Sequence, residues 1–75
     1  MDIDAIRILG MTLVVGIGVI APALSIGRIA ASALEAIGRN PDASGKIQGA
    51  MIIGIAFTEA LAIFAVVVGF IIKFA

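Results

Sequence analysis

The sequence predicts an all-α membrane protein, two antiparallel spanning helices folded as a hairpin around one tight polar turn. Three observations lead there. Residues 8–27 carry no charge, a second apolar run at 47–72 carries only Glu59, and Gly38-Arg39-Asn40-Pro41-Asp42-Ala43-Ser44-Gly45-Lys46 lies between them. At 1.5 Å rise per residue, about 20 residues cover the roughly 30 Å of a bilayer's hydrocarbon core, so each run is long enough to cross. A span in lipid must satisfy its own backbone groups, which leaves helix as its secondary structure. The first helix is expected over 8–37, continuing past the uncharged run through Ala30, Ala31, Ala33, Leu34 and Ala36. Glycine, Asn-Pro and alternating charges mark 38–46 as the polar loop, and 47–73 as the second helix, with the whole chain 1–75 forming one hairpin.

Composition supports lipid as the solvent. Of the residues 63% are hydrophobic and 13% charged, and the mean hydropathy is +1.30. A soluble chain of this length buries only about 60% of its unfolded surface and needs a polar exterior that this one lacks. The formal net charge is zero, which argues against nucleic acid as a partner. Cysteine and histidine are absent, so disulfides, thiolate chemistry and the usual zinc sites are excluded, and no metal or cofactor is expected. One acid in an apolar segment also excludes paired-carboxylate catalysis within a chain. No nucleophile with its base and no phosphate loop is present, so an autonomous enzyme is not expected. The opening Met1-Asp2-Ile3-Asp4 lacks the positive cluster of a signal peptide, and the first helix is read as a retained span.

Folding the chain at residues 41 and 42 sets Glu59 at the depth of 23–25, near the middle of both spans. An ionised carboxylate at a helix centre costs about 2.5 to 3.5 kcal/mol to insert, and binding a proton avoids part of that cost. Glu59 is therefore expected to be neutral against lipid, and to act as a reversible proton carrier where it meets an aqueous path or a cation. A plainer role is a hydrogen bond to a partner helix involving Thr58 or a neighbour's Ser25; intramembrane acids are more often functional. Ile52, Ile55, Ile63, Val66 and Phe70 share Glu59's face, with Ala56 and Ala60 on its flank, which is not the lining of a water-filled pore.

The sides of the first helix are patterned too. Gly16, Ala23, Gly27 and Ala30 line one stripe, and Gly18, Ala21, Ser25 and Ser32 line another nearly opposite. Small residues let helix backbones approach closely in membranes, although they are common in spanning helices generally. Used by identical copies, two opposed stripes make a heterologous contact that repeats until a ring closes. Arg28, with Glu35 two turns nearer the loop, reads as a snorkelling anchor rather than a counter-ion to Glu59, and Arg7 and Lys73 mark the far membrane edge. Pro22 should bend the first helix just beyond Glu59's level or be absorbed by local adjustment. Phe57, Phe64, Phe70 and Phe74 read as lipid or packing contacts. Arg28, Arg39 and Lys46 slightly favour a cytoplasmic loop.

With these residues placed, the chain resembles the c subunit of F-type ATP synthases, the proteolipid of the membrane rotor. Gly38-Arg39-Asn40-Pro41 is similar to that family's polar-loop motif, and Gly54-Ile55-Ala56-Phe57-Thr58-Glu59-Ala60 to the segment around its ion-binding carboxylate. Either motif alone is weak; together they are specific. The resemblance implies a ring of identical hairpins in which protonated Glu59 rides through lipid to the stator a subunit, whose arginine favours the carboxylate. Protons then leave and enter through two half-channels as the ring turns. It also implies docking of Arg39, Asn40 and Pro41 on the central-stalk gamma and epsilon subunits, and a bacterial inner membrane with the loop on the cytoplasmic side. Asp2-Ile3-Asp4 and Asn40 are similar to mitochondrial forms as well.

One departure from the family's alternating glycine run is that Ala21, Ala23, Ser25 and Gly27 stand in its place, which leaves the copy number open. Sodium-carrying members place a glutamine and a hydroxyl where this chain has Ile26 and Ala60, so the resemblance favours protons, with Thr58, Ser25 or a water as supporting groups. Competing readings are a holin-like pore or other small structural oligomer, which needs neither motif, and a V-type ATPase proteolipid, usually a duplicated four-helix chain.

Overall fold

A computed structural model describes residues 2–75. Two helices, α1 (Ile3–Gly18) and α2 (Ile20–Arg39), run on as one rod, and α3 (Ser44–Phe74) returns beside it after a short 3-10 turn, Pro41–Ala43. The Cα envelope measures 59 × 16 × 7 Å, one layer thick and two helices wide. The rod of 37 residues and the returning arm of 34 are both long and apolar enough to cross a membrane.

Local chemistry explains where the elements begin and end. Asp2 caps α1 by accepting a hydrogen bond of 2.8 Å from the Ala5 amide, and Asp4 adds negative charge to the first turn. Helix therefore starts ahead of residue 8, where the uncharged run begins. At the other end Asn40 leaves helical geometry at φ −143° and ψ 79°, as a residue before proline is pressed to do. The Asn40 carbonyl then accepts from the Ala43 amide at 3.1 Å to close the turn. The expected loop over 38–46 is correspondingly shorter. Gly38 and Arg39 stay in α2 and Ser44, Gly45 and Lys46 already belong to α3, because one pre-proline residue and one 3-10 turn suffice to reverse the chain.

The first span is interrupted at Val19 (φ −95°, ψ −11°). Pro22, three residues on, has no N–H to return to the Gly18 carbonyl, and its ring crowds that carbonyl. The backbone resumes at once, the Ala23 amide donating to the Val19 carbonyl at 3.0 Å.

Very little of the pair is buried. Pro22 and Ala33 are the buried apolar side chains among the described residues, and Phe57 is 74% exposed and Ile17 65%. A surface of this kind belongs in hydrocarbon, where helices associate by close packing rather than by expulsion of water. The seam is accordingly made of small residues. A Cβ placed on Gly18 would stand 2.8 Å from the Ala65 Cβ, and one on Gly69 would stand 2.5 Å from a methyl of Val15. Gly18 thus lies in the hairpin's own seam and not on an outer stripe. At 100° per residue the three positions between it and Ala21 leave the two about 60° apart in phase, and that difference carries Gly18 round to face α3.

Enlarging the seam should cost more than enlarging an open site. Gly69→Leu is expected to lower the thermal unfolding midpoint of the detergent-solubilised hairpin, at a cost of about 1–3 kcal/mol. Gly38→Ala, with open space around the added methyl, should leave the midpoint unchanged or slightly raised; equal losses in the two variants would contradict this packing.

Candidate functional site

Glu59 occupies the midpoint of α3, the sixteenth of its 31 residues. The seam contacts set its level against the first span. Gly18 meets Ala65 and Ile29 meets Gly54, and continuing that pairing puts Glu59 beside Leu24. Its carboxyl is as far from either end of the hairpin as the chain permits.

Its surroundings are apolar. Glu59 opens on a shallow groove of about 400 Å³ lined by Val19, Ala62, Ile63, Val66, Val67 and Phe70. Ile63, Val66 and Phe70 are the residues that the helical repeat of α3 predicts on this face. Val19 comes from the other helix, and no pattern within α3 points to it. Val19 stands at the border of the first span's seam face, where helical phase alone brings it beside the groove.

Thr58, a residue expected to support the site, sits toward the seam. Its hydroxyl donates to the Gly54 carbonyl one turn back at 2.8 Å, as Thr12 does to Ile8. Such back-bonding lets a hydroxyl live in hydrocarbon, and it turns Thr58 away from the carboxyl of its neighbour. Ser25 is level with Glu59 and exposed, but it lies on the opposite flank of the hairpin.

The remaining stripe residues divide between those flanks. Gly16, Ala23 and Gly27 are exposed on the side that carries Glu59, with Ala30 half-buried at its edge. Ala21, Ser25 and Ser32 are exposed on the other. Added methyls on Gly16 or Gly27 would meet nothing within 4 Å, so both sites are open to a neighbour's backbone. Arg39, Asn40 and Pro41 are exposed together at the turn. At the far end, Lys73 stands 5.0 Å from the ring centre of Phe74, and Phe74 stacks on Phe70 at 6.1 Å. Among the described residues no group of three or more acidic, histidine or cysteine side chains gathers.

A two-span hairpin with one acid at mid-depth on an apolar flank defines a class of small membrane proteins with a single intramembrane carboxyl group. Sequence comparison then names the family. Residues 9–72 match the family of ATP synthase c subunits. The chain is 46% identical to the ATP synthase c subunit of Chloroflexus aurantiacus over 95% of its own length and 93% of that protein. It is 43% identical to that of Dehalococcoides mccartyi over 99% and 97%, and 40% identical to that of Nostoc sp. over 97% and 90%. The chain belongs to the c-subunit family of F-type ATP synthases, as the loop and carboxylate motifs implied. It is a multi-pass membrane protein and a non-catalytic component of ion transport.

Because the Thr58 hydroxyl is engaged on its own helix, Thr58→Val should leave the rate at which a lipid-soluble carbodiimide modifies Glu59 within about twofold of the parent. A tenfold change would mean that the hydroxyl reaches the carboxyl after all.

Proposed function

We propose that Glu59 is the group that takes up and releases the transported proton, and that identical hairpins stand side by side in a closed ring. The observation carrying this reading is the lone acid at the midpoint of α3, on a flank with no polar lining. In hydrocarbon a carboxylate is costly and a carboxylic acid is tolerable, so passage around the lipid-facing side of the ring requires the protonated form. Release requires an environment that favours the anion. An arginine supplied by the stator a subunit provides one, with aqueous half-channels on either side of it. Each charge crossing 100 mV delivers about 2.3 kcal/mol, so several transfers are gathered by rotation for each ATP made.

The two flanks support the ring. Gly16, Ala23 and Gly27 lie on Glu59's side, and Ala21, Ser25 and Ser32 on the other. Setting one flank against the next copy's opposite flank is a heterologous contact, which repeats around an axis. That stacking also brings a neighbour's Ser25 to Glu59's level, where its hydroxyl supports the protonated acid.

The exposed turn, with Arg39, Asn40 and Pro41, is the surface for the gamma and epsilon subunits of the central stalk. We place it on the cytoplasmic side of a bacterial inner membrane. The carried ion is a proton: Ile26 and Ala60 bring no oxygen to the site, so a sodium ion lacks the ligands it needs.

In the assembled complex, Glu59→Gln is expected to reduce proton-driven rotation and ATP synthesis by at least a hundredfold while the rings still form. Retention of coupled flow would overturn the assignment. Carbodiimide labelling of Glu59 at fixed pH should be indifferent to sodium, and clear protection by sodium would reassign the ion.

A further inference from the structure

We infer that Arg28 holds the phosphate of an anionic phospholipid seated against the side of the first span that turns away from α3. In the ring proposed above, on which this inference rests, that side lines the central opening.

The depth of Arg28 makes it unusual. Ile29 packs on Gly54, so Arg28 lies about one helical turn, roughly 6 Å, from the level of Glu59 and well inside the apolar length of α3. Its direction follows from helical phase. Leu13, Ile20 and Leu24 lie opposite the seam residues Gly18, Pro22 and Ile29, all three are exposed, and Arg28 stands at the edge of that face nearest Ser32. The groove beside it is lined by Ile29, Ser32, Ala33, Ile47, Ala50 and Met51. No carboxylate is among them, and Glu35 is two turns away, about 10 Å along the axis. A guanidinium at this depth calls for an oxyanion, and a phosphodiester matches its fork of donors.

The lengths of the two apolar belts identify the oxyanion as a lipid headgroup. At the far end they start together, since Arg7 and Lys73 line one pocket with Asp4, Ile8 and Phe74. On the first span the uncharged run 8–27 covers about 30 Å and stops at Arg28, one hydrocarbon thickness from Arg7. On α3 the run 47–72 covers about 39 Å. Lipid against the first span therefore meets its loop-side boundary about 10 Å deeper than lipid against α3, at the guanidinium of Arg28, with Ser32 as a second donor one turn beyond. The apolar wall of Leu13, Ile17, Ile20 and Leu24 below takes the acyl chains.

The test uses intact rings equilibrated in vesicles of equimolar phosphatidylglycerol and phosphatidylcholine, re-extracted in mild detergent, and analysed for retained lipid by native mass spectrometry. Parent rings should retain the anionic lipid over the zwitterionic one by at least fivefold. Arg28→Ile, an apolar change suited to a lipid-facing site, should bring the ratio to about one, and Arg28→Lys should keep most of the preference. Equal retention of the two lipids by parent rings, rings without lipid, or an unchanged ratio in Arg28→Ile overturns the inference and leaves the ring standing. Absence of any ring in the parent preparation instead overturns the ring reading itself. Should Arg28→Ile fail to assemble, the ratio in parent rings decides alone.

Discussion

Hydrocarbon offers nothing to a polar group, and each part of this hairpin answers that constraint in its own way. Backbone amides and carbonyls are paired along the helices, and the chain reverses through a single 3-10 turn. Thr12 and Thr58 return their hydroxyls to carbonyls of their own helix. Glu59 has no equivalent route. A carboxylate only accepts hydrogen bonds, and the amides of a helix interior are already spent on the preceding turn. The neutral acid is the form of such a side chain that hydrocarbon tolerates, and the proton transfer proposed for Glu59 builds on that.

The same constraint explains why so little is buried. Without water to expel, large apolar side chains gain little by leaving the surface, and the helices are held by the close fit of small residues. Gly18 against Ala65, and Gly69 against Val15, bring the two rods together. The larger residues, Phe57, Leu61 and Phe64 among them, stay outside. The hairpin is thus a flat plate whose two edges are partly small and open. The edge that carries Gly16 and Gly27 leaves room for another helix to approach closely.

Pro22 links the seam to the carboxyl. By withholding a hydrogen bond from Gly18 it interrupts the helix at the point where the two backbones come close, at Val19, a residue that also lines the groove into which Glu59 opens. The interruption lies about one turn beyond Glu59's level, so the one irregular stretch of the first span is beside the one acid of α3.

Much of this was legible in the residues themselves. Two apolar runs of spanning length, a polar turn with Asn-Pro, and one acid deep in the second run determined a hairpin and the depth of its carboxyl, because bilayer thickness and helical rise leave few alternatives. The loop and carboxylate motifs determined the family. Tertiary structure decided what periodicity could not. It turned Gly18 into the seam, since a residue at the border of two faces is assigned only by what packs against it. It shortened the loop to Asn40 and one 3-10 turn, because helix persists until a backbone restriction ends it. It put Thr58 toward the seam and Ser25 on the far flank, since which sides of two helices meet depends on both surfaces at once, and a pattern along one chain segment describes only its own.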